Sequence, residues 1–354
     1  MNDEKELKEE LDFSSEEVKK VVKKAKLFTV LRNVVITLVV LVILGIAIFI
    51  SNLLILDRMA RNVWADEYIF NQVARPNSYI SQARGKDGFL AGEMEFVTYR
   101  IVGERAVCDG TYIIKYIPLP IISGIYGHSA LGQQLAQIGT EDGEQRYYNR
   151  AGNREMMFYH PEVEYKNYKN DLNLLEEIGN DKYIEMALSF DQDYSVEAVK
   201  ELLPDKLTQA WYWVDSFSKG DLDGLKGHYA EIEITGQDGK PTVEKIYHEP
   251  QALHTNEVYN KVYGMKAITN TGEEIEDPCD SFIRAIEYGT NNKSRYQIDF
   301  QELYNKLSDS NGEISRDNIR VIGVVVTGDA SSLGLLKDAD YIKASSLGIV
   351  VNKY

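Results

Sequence analysis

The chain has 354 residues, 44% of them hydrophobic, and a formal net charge of −16 at pH 7. Such a chain is long and apolar enough to bury one large or two ordinary cores, which excludes a disordered protein. The charges of residues 1–32 balance, so the acidic excess lies in the remainder and argues against nucleic acid or anionic lipid as a ligand there.

Residues 1–32 are predicted to form a cytoplasmic tail that ends in a helix. Ser14 and Glu17 have the spacing of a capping box, which satisfies free N–H groups at a helix start. One face of this helix, opposite a lysine-rich face, then carries Val18, Val21, Val22 and Ala25. Either this face docks a cytoplasmic partner, or the segment is only the membrane-proximal turn of an anchor, its lysines near anionic headgroups.

Residues 33–56 contain no charged side chain and are predicted to form a transmembrane helix. At ~1.5 Å per residue this helix is about 36 Å long, which covers a hydrocarbon core of ~30 Å. A secretory signal peptide would have a shorter apolar region of roughly 7–15 residues and a small-residue cleavage site. Here Asp57, Arg58 and Met59 follow instead, so the segment is expected to stay as an anchor in the lipid bilayer.

The flanks of this segment predict its orientation. No acid follows Glu17 before the span. The basic residues there are Lys19, Lys20, Lys23, Lys24, Lys26 and Arg32. After the span, Arg58 and Arg61 are offset by acidic neighbours. Because positive flanks stay in the cytoplasm, the chain is predicted to be a single-pass cell-membrane protein, with its N-terminus inside and residues from 57 onward outside.

Residues 57–170 are predicted to be a juxtamembrane helix followed by a β-rich unit. The helical period continues to Arg75, where Pro76 ends it. The period of two predicts strands at 93–102, 105–108, 111–117 and 154–159. The Asp109-Gly110 pair predicts a hairpin turn between the second and third of these. Residues 81–88 are a polar, glycine-containing stretch, and a polar loop is predicted at 143–148.

Residues 171–354 are predicted to be an extracytoplasmic α+β domain built from two β-α-β units. The first unit has a strand at 183–190, a helix at 194–203 and a strand at 207–214. The second has a strand at 319–327, a helix at 330–337 and a strand at 344–351. Between the units lie a hairpin-like insertion around 236–239 and helices at 280–288 and 299–307. This order predicts a ferredoxin-like split β-α-β domain with an insertion.

The sequence contains no catalytic or metal-binding constellation. The five histidines are scattered, and the zinc-protease pattern fails at His248 because Pro250 breaks the helix that it requires. Asp221 and Asp223 lack the other ligands of a calcium loop and fit a turn between strands. There is no phosphate-binding glycine loop, nucleophile elbow or Cys-x-x-Cys pair. The chain is therefore predicted to be a non-enzyme that needs no cofactor and no metal.

Two further residue pairs leave alternatives open. Trp211 and Trp213 fall on one face of a predicted strand, where an aromatic pair is typical of a core, although a ligand platform is the other interpretation. Cys108 and Cys279 can form one disulfide in an oxidising exterior, or they can remain two free, weakly polar side chains.

Several stretches, taken in order, carry a family resemblance. They are residues 20–75, 97–103 (VTYRIVG), 156–161 (MMFYHP), 185–191 (EMALSFD), 211–214 (WYWV) and 323–328 (GVVVTG). With them the chain resembles the sigma factor regulator family of Gram-positive bacteria, whose founding example is a membrane anti-sigma factor. The motif residues of the outer domain are Phe158, Tyr159, His160, Pro161, Trp211 and Trp213.

The resemblance implies that an outer domain senses the state of the envelope while the inner segment holds or releases an extracytoplasmic-function sigma factor. Val18, Val21, Val22 and Ala25 are then the expected contact face for a sigma factor or a small membrane co-regulator. Many anti-sigma factors carry a cytoplasmic zinc domain with His-x-x-x-Cys-x-x-Cys, whereas residues 1–32 contain neither residue type and offer a partner at most one helix. The rival hypothesis is an anchored extracytoplasmic binding or scaffold module, and an envelope hydrolase is disfavoured by the missing site.

Overall fold

The computed structural model describes residues 16–118, 134–139, 145–235, 241–254 and 261–354. The chain divides into two compact units, Met1–Arg58 and Met59–Tyr354. The first helix, α1, spans Glu16–Ala74 and ends just before the Arg75-Pro76 pair, as predicted. Within the described ranges it is the one helix long and apolar enough to cross a membrane, so the chain has the form of a single-pass membrane protein. The predicted cap at Ser14 lies outside the described residues.

The second unit mixes sheets and helices. Its strands are β1 (Ser78–Asp87), β2 (Gly92–Val102), β3 (Arg105–Tyr116), β4 (Gln134–Gly139), β5 (Gln145–Asn149), β6 (Met157–Phe158), β7 (Lys182–Tyr194), β8 (Thr208–Val214), β9 (His228–Thr235), β10 (Pro241–His248), β11 (Leu253–His254), β12 (Gly264–Lys266), β13 (Val321–Gly328) and β14 (Ile342–Asn352). Its helices after α1 are α2 (Leu175–Ile178), α3 (Val196–Leu202), α4 (Lys219–Leu225), α5 (Pro278–Asn291), α6 (Gln297–Leu307) and α7 (Ala330–Leu333). Short 3₁₀ turns lie at Asp171–Leu174, Arg316–Asn318 and Gly334–Leu336.

Strands β1, β2 and β3 form an antiparallel three-stranded sheet in chain order. The first two-thirds of β2 alternate between buried and half-buried residues, with Met94 and Phe96 turned inward, which is the period of a sheet with one covered face. The polar, glycine-containing stretch at 81–88 belongs mostly to β1. An edge strand tolerates this polar sequence, since its backbone pairs with β2 while its side chains stay largely exposed.

The Asp109-Gly110 pair is not a hairpin turn, which corrects the sequence prediction. The chain turns earlier, at Gly103 (φ +59°) and Glu104, and β3 then runs without interruption. Gly110 has φ +133° and lies where the β2–β3 register shifts, a β-bulge rather than a turn. The physical reason lies in the partner strand, where a buried Arg100 draws the Asp109 carboxylate into an ion pair of 2.8 Å.

Three smaller strand pairs complete the β structure. They are β4 with β5, β6 with β11, and β9 with β10, all antiparallel. The strand predicted at 154–159 is reduced to β6, and most of the loop predicted at 143–148 is β5. The turn predicted around 236–239 lies outside the described residues, between β9 and β10.

The remaining strands form a five-stranded sheet in the order β12-β8-β13-β7-β14, with every neighbouring pair antiparallel. Strand β13 is central and buried along almost its whole length, as its run of valines predicts. Both predicted β-α-β segments have their strands and a short intervening helix, and Ser195 caps α3 by accepting the Ala198 N–H at 3.2 Å.

The two faces of this sheet bury separate apolar clusters. On one face Phe282, Phe300 and Leu303 from α5 and α6 pack with Phe70 and Val73 from the end of α1. The other face carries an aromatic cluster that includes β6 and the two tryptophans of β8. The end of α1 is therefore part of the core of the second unit.

Two details differ from or extend the sequence interpretation. Asp221 does not lie in a turn but in α4, where it closes a capping box with Ser218, a serine three positions earlier. Both cysteines are free; Cys108 is exposed and Cys279 is buried.

Candidate functional site

The predicted cytoplasmic contact face lies in the first three turns of α1. Val21 is 66% exposed and Val22 47% exposed, Ala25 is exposed, and Val18 is half-buried. Apolar side chains on one exposed helix face form a surface that a partner helix can cover.

The predicted outer-domain motif residues are brought together as core. The Phe158 ring centroid lies 5.9 Å from that of Trp211 and 5.1 Å from that of Trp213, and all three side chains are fully buried. Edge-to-face and tilted rings at these separations are typical of aromatic packing in an interior. The pair of tryptophans is therefore a core element and not an open ligand platform.

His160 continues this packing and fixes the segment after β6. Its buried ring lies edge-on to Phe217 at 4.9 Å, and its Nδ1 accepts the Glu162 N–H at 3.2 Å. Its Nε2 lies 3.6 Å from Asp215 Oδ1. Burial alone would raise the pKa of Asp215, but His160 and the Phe217 N–H hold that pKa below its usual value.

Tyr159 and Pro161 tie the same segment to the sheet through their backbones. The Tyr159 N–H donates to Ser189 Oγ at 2.9 Å, and the Pro161 carbonyl accepts from Lys343 Nζ at 2.8 Å. The six motif residues thus hold the β6 segment against the five-stranded sheet.

A second group of polar residues lies at the end of α1, where Glu67 is completely buried. Its carboxylate accepts hydrogen bonds from Tyr112 Oη (2.9 Å), Arg75 Nη2 (3.1 Å) and Tyr296 Oη. Burial raises the pKa of both tyrosines, so each stays a protonated donor. The Phe70 ring stacks on Tyr296 with centroids 3.7 Å apart. Glu67 therefore joins α1 to β3 and to the start of α6.

A third group surrounds the buried Arg100 of β2. Its guanidinium contacts Asp109 (2.8 Å), Glu185 (3.1 Å) and Glu155 (3.6 Å). Burial alone lowers its pKa, but the three carboxylates raise it, so Arg100 stays charged. Asn77, three residues after the end of α1, donates to Glu185 Oε1 at 2.7 Å. This cluster links the three-stranded sheet to β7.

The sequence interpretation missed both ionic clusters. The available signal was a charged residue at an inward position of a strand, as at Arg100 in β2 and Glu185 in β7. Such a residue needs a buried partner, but the sequence does not say which one. For Glu67 there was no local signal, because acids on a helix are ordinary.

Among the described residues, no group of three or more His, Cys, Asp or Glu side chains is arranged to hold a metal ion.

Two family models match the chain. The model described as sigma factor regulator N-terminal matches residues 19–107, and the one described as sigma factor regulator C-terminal matches residues 175–349. Searches of curated proteins and of solved structures found no match.

Proposed function

Because the chain belongs to the sigma factor regulator family, we propose that it is a single-pass anti-sigma regulator of the membrane, without catalytic activity. Its N-terminal segment lies in the cytoplasm and controls a sigma factor of the extracytoplasmic-function class, and its C-terminal unit lies outside and senses the envelope. The observation that carries this proposal is that one family model matches the N-terminal part of the chain and another its C-terminal part. The N-terminal match includes the long apolar helix.

The orientation is supported by the lysines that precede the span, since basic flanks remain in the cytoplasm. Cys108 offers a direct test, because it is exposed and lies in the part proposed to be outside. A membrane-impermeant thiol reagent applied to intact cells is expected to label Cys108. Labelling only after the cells are broken would contradict the orientation.

The cytoplasmic contact is assigned to the face formed by Val18, Val21, Val22 and Ala25. Two of its valines are exposed on a well-formed helix, and burying an aliphatic side chain on a partner stabilises a complex by about 1.5–3 kcal/mol. The tail has no His or Cys for a zinc domain, so a helix-on-groove contact is the mode that its residues support.

The envelope signal is proposed to reach this face through α1. This helix runs from Glu16 to Ala74, and its last turns carry Phe70 and Val73 into the apolar core of the outer unit and Glu67 into a buried polar cluster. A change in that packing would alter the helix end directly.

We further propose that residues 171–354 form a domain of their own, with the ferredoxin-like split β-α-β topology. The strand order β8-β13-β7-β14 supports this assignment.

The test is a crosslinking pull-down from native membranes with the double variant Val18→Asp and Val22→Asp. Two carboxylates on the apolar face are expected to lower sigma-factor recovery at least tenfold and to derepress its regulon. The matched control is Lys20→Gln with Lys24→Gln, which changes the net charge equally on the lysine-rich side and is expected to keep recovery near the wild-type level. Cys108 labelling monitors insertion of both variants.

If the Val18→Asp, Val22→Asp chain inserts normally and still recovers the sigma factor, the anti-sigma assignment to this face is refuted. If a chain lacking residues 2–24 recovers the same extracytoplasmic partners as the intact chain and neither recovers a sigma factor, the protein is an anchored outer binding module instead.

A further inference from the structure

A buried lysine lies against the last turns of α1. Lys266 in the edge strand β12 is only 6% exposed. Its Nζ donates to Asn71 Oδ1 at 2.5 Å and to the Ser78 carbonyl oxygen at 2.7 Å, and it lies 4.3 Å from the Tyr79 ring centroid. Lys266 therefore connects the sheet to both sides of the turn that follows α1.

Within the described residues, no ion pair joins Lys266 to a carboxylate. The charged and titratable groups beside it are Arg75, just after α1, and Tyr79 on β1. The acids bound near its partners Asn71 and Ser78 are Glu67 and Glu185. Glu67 already binds Arg75 and two tyrosines, and Glu185 already binds Arg100 and Asn77.

The remaining neighbours of β12 add no charge at the amine. Helix α5 packs with the Met265 side of the strand, where Cys279 and Phe282 share its apolar cluster. The residue opposite Lys266 on β8 is Trp211. Burial, and then the nearby Arg75, lower the pKa of Lys266 to about 7.

The hydrogen-bond count fits a neutral amine. An ammonium has three donors, whereas a neutral amine has two, and the two oxygen acceptors at Lys266 match the latter number. Protonation adds a third donor, which the Tyr79 ring face can accept in a cation–π contact, but it also places a second charge beside Arg75 in a buried site, and these two penalties outweigh the ring contact. The neutral form therefore favours the closed packing of α1, and the charged form opposes it.

We propose that Lys266 is a proton-operated latch on the end of α1, closed when its amine is neutral and loosened when the amine is protonated. The latch acts on Asn71 and on the turn at Ser78, so its opening frees the last turns of the helix from the outer unit. Its regulatory consequence, that acidification outside changes the hold on a cytoplasmic partner, rests on the function proposed above.

The sign follows from linkage between protonation and opening. An opened latch returns Lys266 to water, where its pKa is about 10.5, so the opened form binds more protons than the closed form between about pH 7 and 10.5. The closed form is therefore fully favoured at high pH and loses stability as the pH falls through this window. Between about pH 8.5 and 6 the opening equilibrium is expected to rise on the order of 30-fold.

The test is amide hydrogen exchange of the full chain in lipid nanodiscs at about pH 6 and about pH 8.5, with labelling times scaled to the intrinsic exchange rate. Protection of the peptide that covers residues 69–75 is expected to be roughly 30-fold lower at the acidic pH. A peptide from β13, in the centre of the sheet, is the internal reference and is expected to keep its protection. An equal loss in β13 would show global destabilisation and overturn the latch.

Lys266→Met removes the titrating amine and keeps its apolar stem, so it is expected to abolish the pH dependence at residues 69–75. Lys266→Gln is the second variant if the Met chain does not fold. The matched control is Lys200→Met, since Lys200 is a half-buried lysine whose amine, unlike that of Lys266, pairs with a carboxylate, that of the exposed Glu274. Undiminished pH dependence in the Lys266 variants refutes the proposal. Because this measurement needs no sigma factor, its failure is separate from a failure of the tail variants to release one.

Discussion

Removing the charge of Glu67 tests whether the end of α1 is held by its buried polar cluster. Glu67→Gln keeps the side-chain shape but leaves Arg75 without its counter-charge and turns an amide NH₂ towards one of the two tyrosine donors, Tyr112 or Tyr296. Breaking one partner of a buried pair costs about 3–5 kcal/mol. Arg75 is 20% exposed and keeps its contact with the Tyr112 ring, so the lower end applies and we expect a loss of about 3 kcal/mol.

This loss corresponds to a fall in Tm of about 5 °C for a unit of this size. It is measured on the full chain in detergent by tryptophan fluorescence, since Trp211 and Trp213 are buried in the second unit. The control is Glu176→Gln, because Glu176 is 86% exposed where it meets Lys337 and a surface pair is worth about 0–1 kcal/mol. If Glu67→Gln unfolds within 1–2 °C of the wild type, the cluster does not hold the helix end.

Three further changes have defined outcomes. Gly264→Ala brings a Cβ to 2.0 Å from a backbone oxygen of β8, so this edge pairing should break and Tm should fall by several degrees. In the native chain a thiol reagent should modify Cys108 quickly and Cys279 only on unfolding, because Cys279 is buried and its thiol pKa is raised to about 11; mass spectrometry of both peptides checks this. Since the pKa of Asp215 is lowered in the fold, the wild type should have a higher Tm than Asp215→Asn at pH 7, and the difference should shrink as the pH falls below 3.8. Equal Tm values at every pH would show that the fold does not favour the Asp215 carboxylate.

The parts of the fold that the sequence predicted are those with a strong apolar pattern. The span, β7, β8, β13 and β14 each carry runs of branched or aromatic residues whose period decides the element type. The helices α5 and α6 were also found, although both begin earlier than predicted, at Pro278 and Gln297. These elements form because one or both of their faces are buried, and the apolar pattern that predicts such burial can be read from a single sequence.

The sequence failed where a partner residue decides the structure. The polar stretch at 81–88 was not predicted as a strand, yet most of it pairs with β2 because that neighbour offers its backbone. The Asp109-Gly110 pair has the composition of a turn, but Arg100 recruits its carboxylate. The polar groups at Glu67 and Lys266 were not predicted for the same reason. Their partners Tyr296 and Asn71 lie far away in the chain.

The three polar contacts around the end of α1 are all hydrogen bonds and therefore depend on direction as well as distance. Glu67, Asn71 and Asn77 lie within one short stretch, and each contacts a different charged or phenolic group of the second unit. An apolar contact of the kind that Phe70 makes can slide by a fraction of an ångström at small cost, whereas a buried hydrogen bond is lost when its geometry changes. Well-packed apolar residues would hold the helix as firmly as buried ion pairs do, so stability alone does not account for these groups. A helix end held by directional contacts has one closed position and leaves it by breaking several bonds together, which is the physical requirement for a two-state response to a signal.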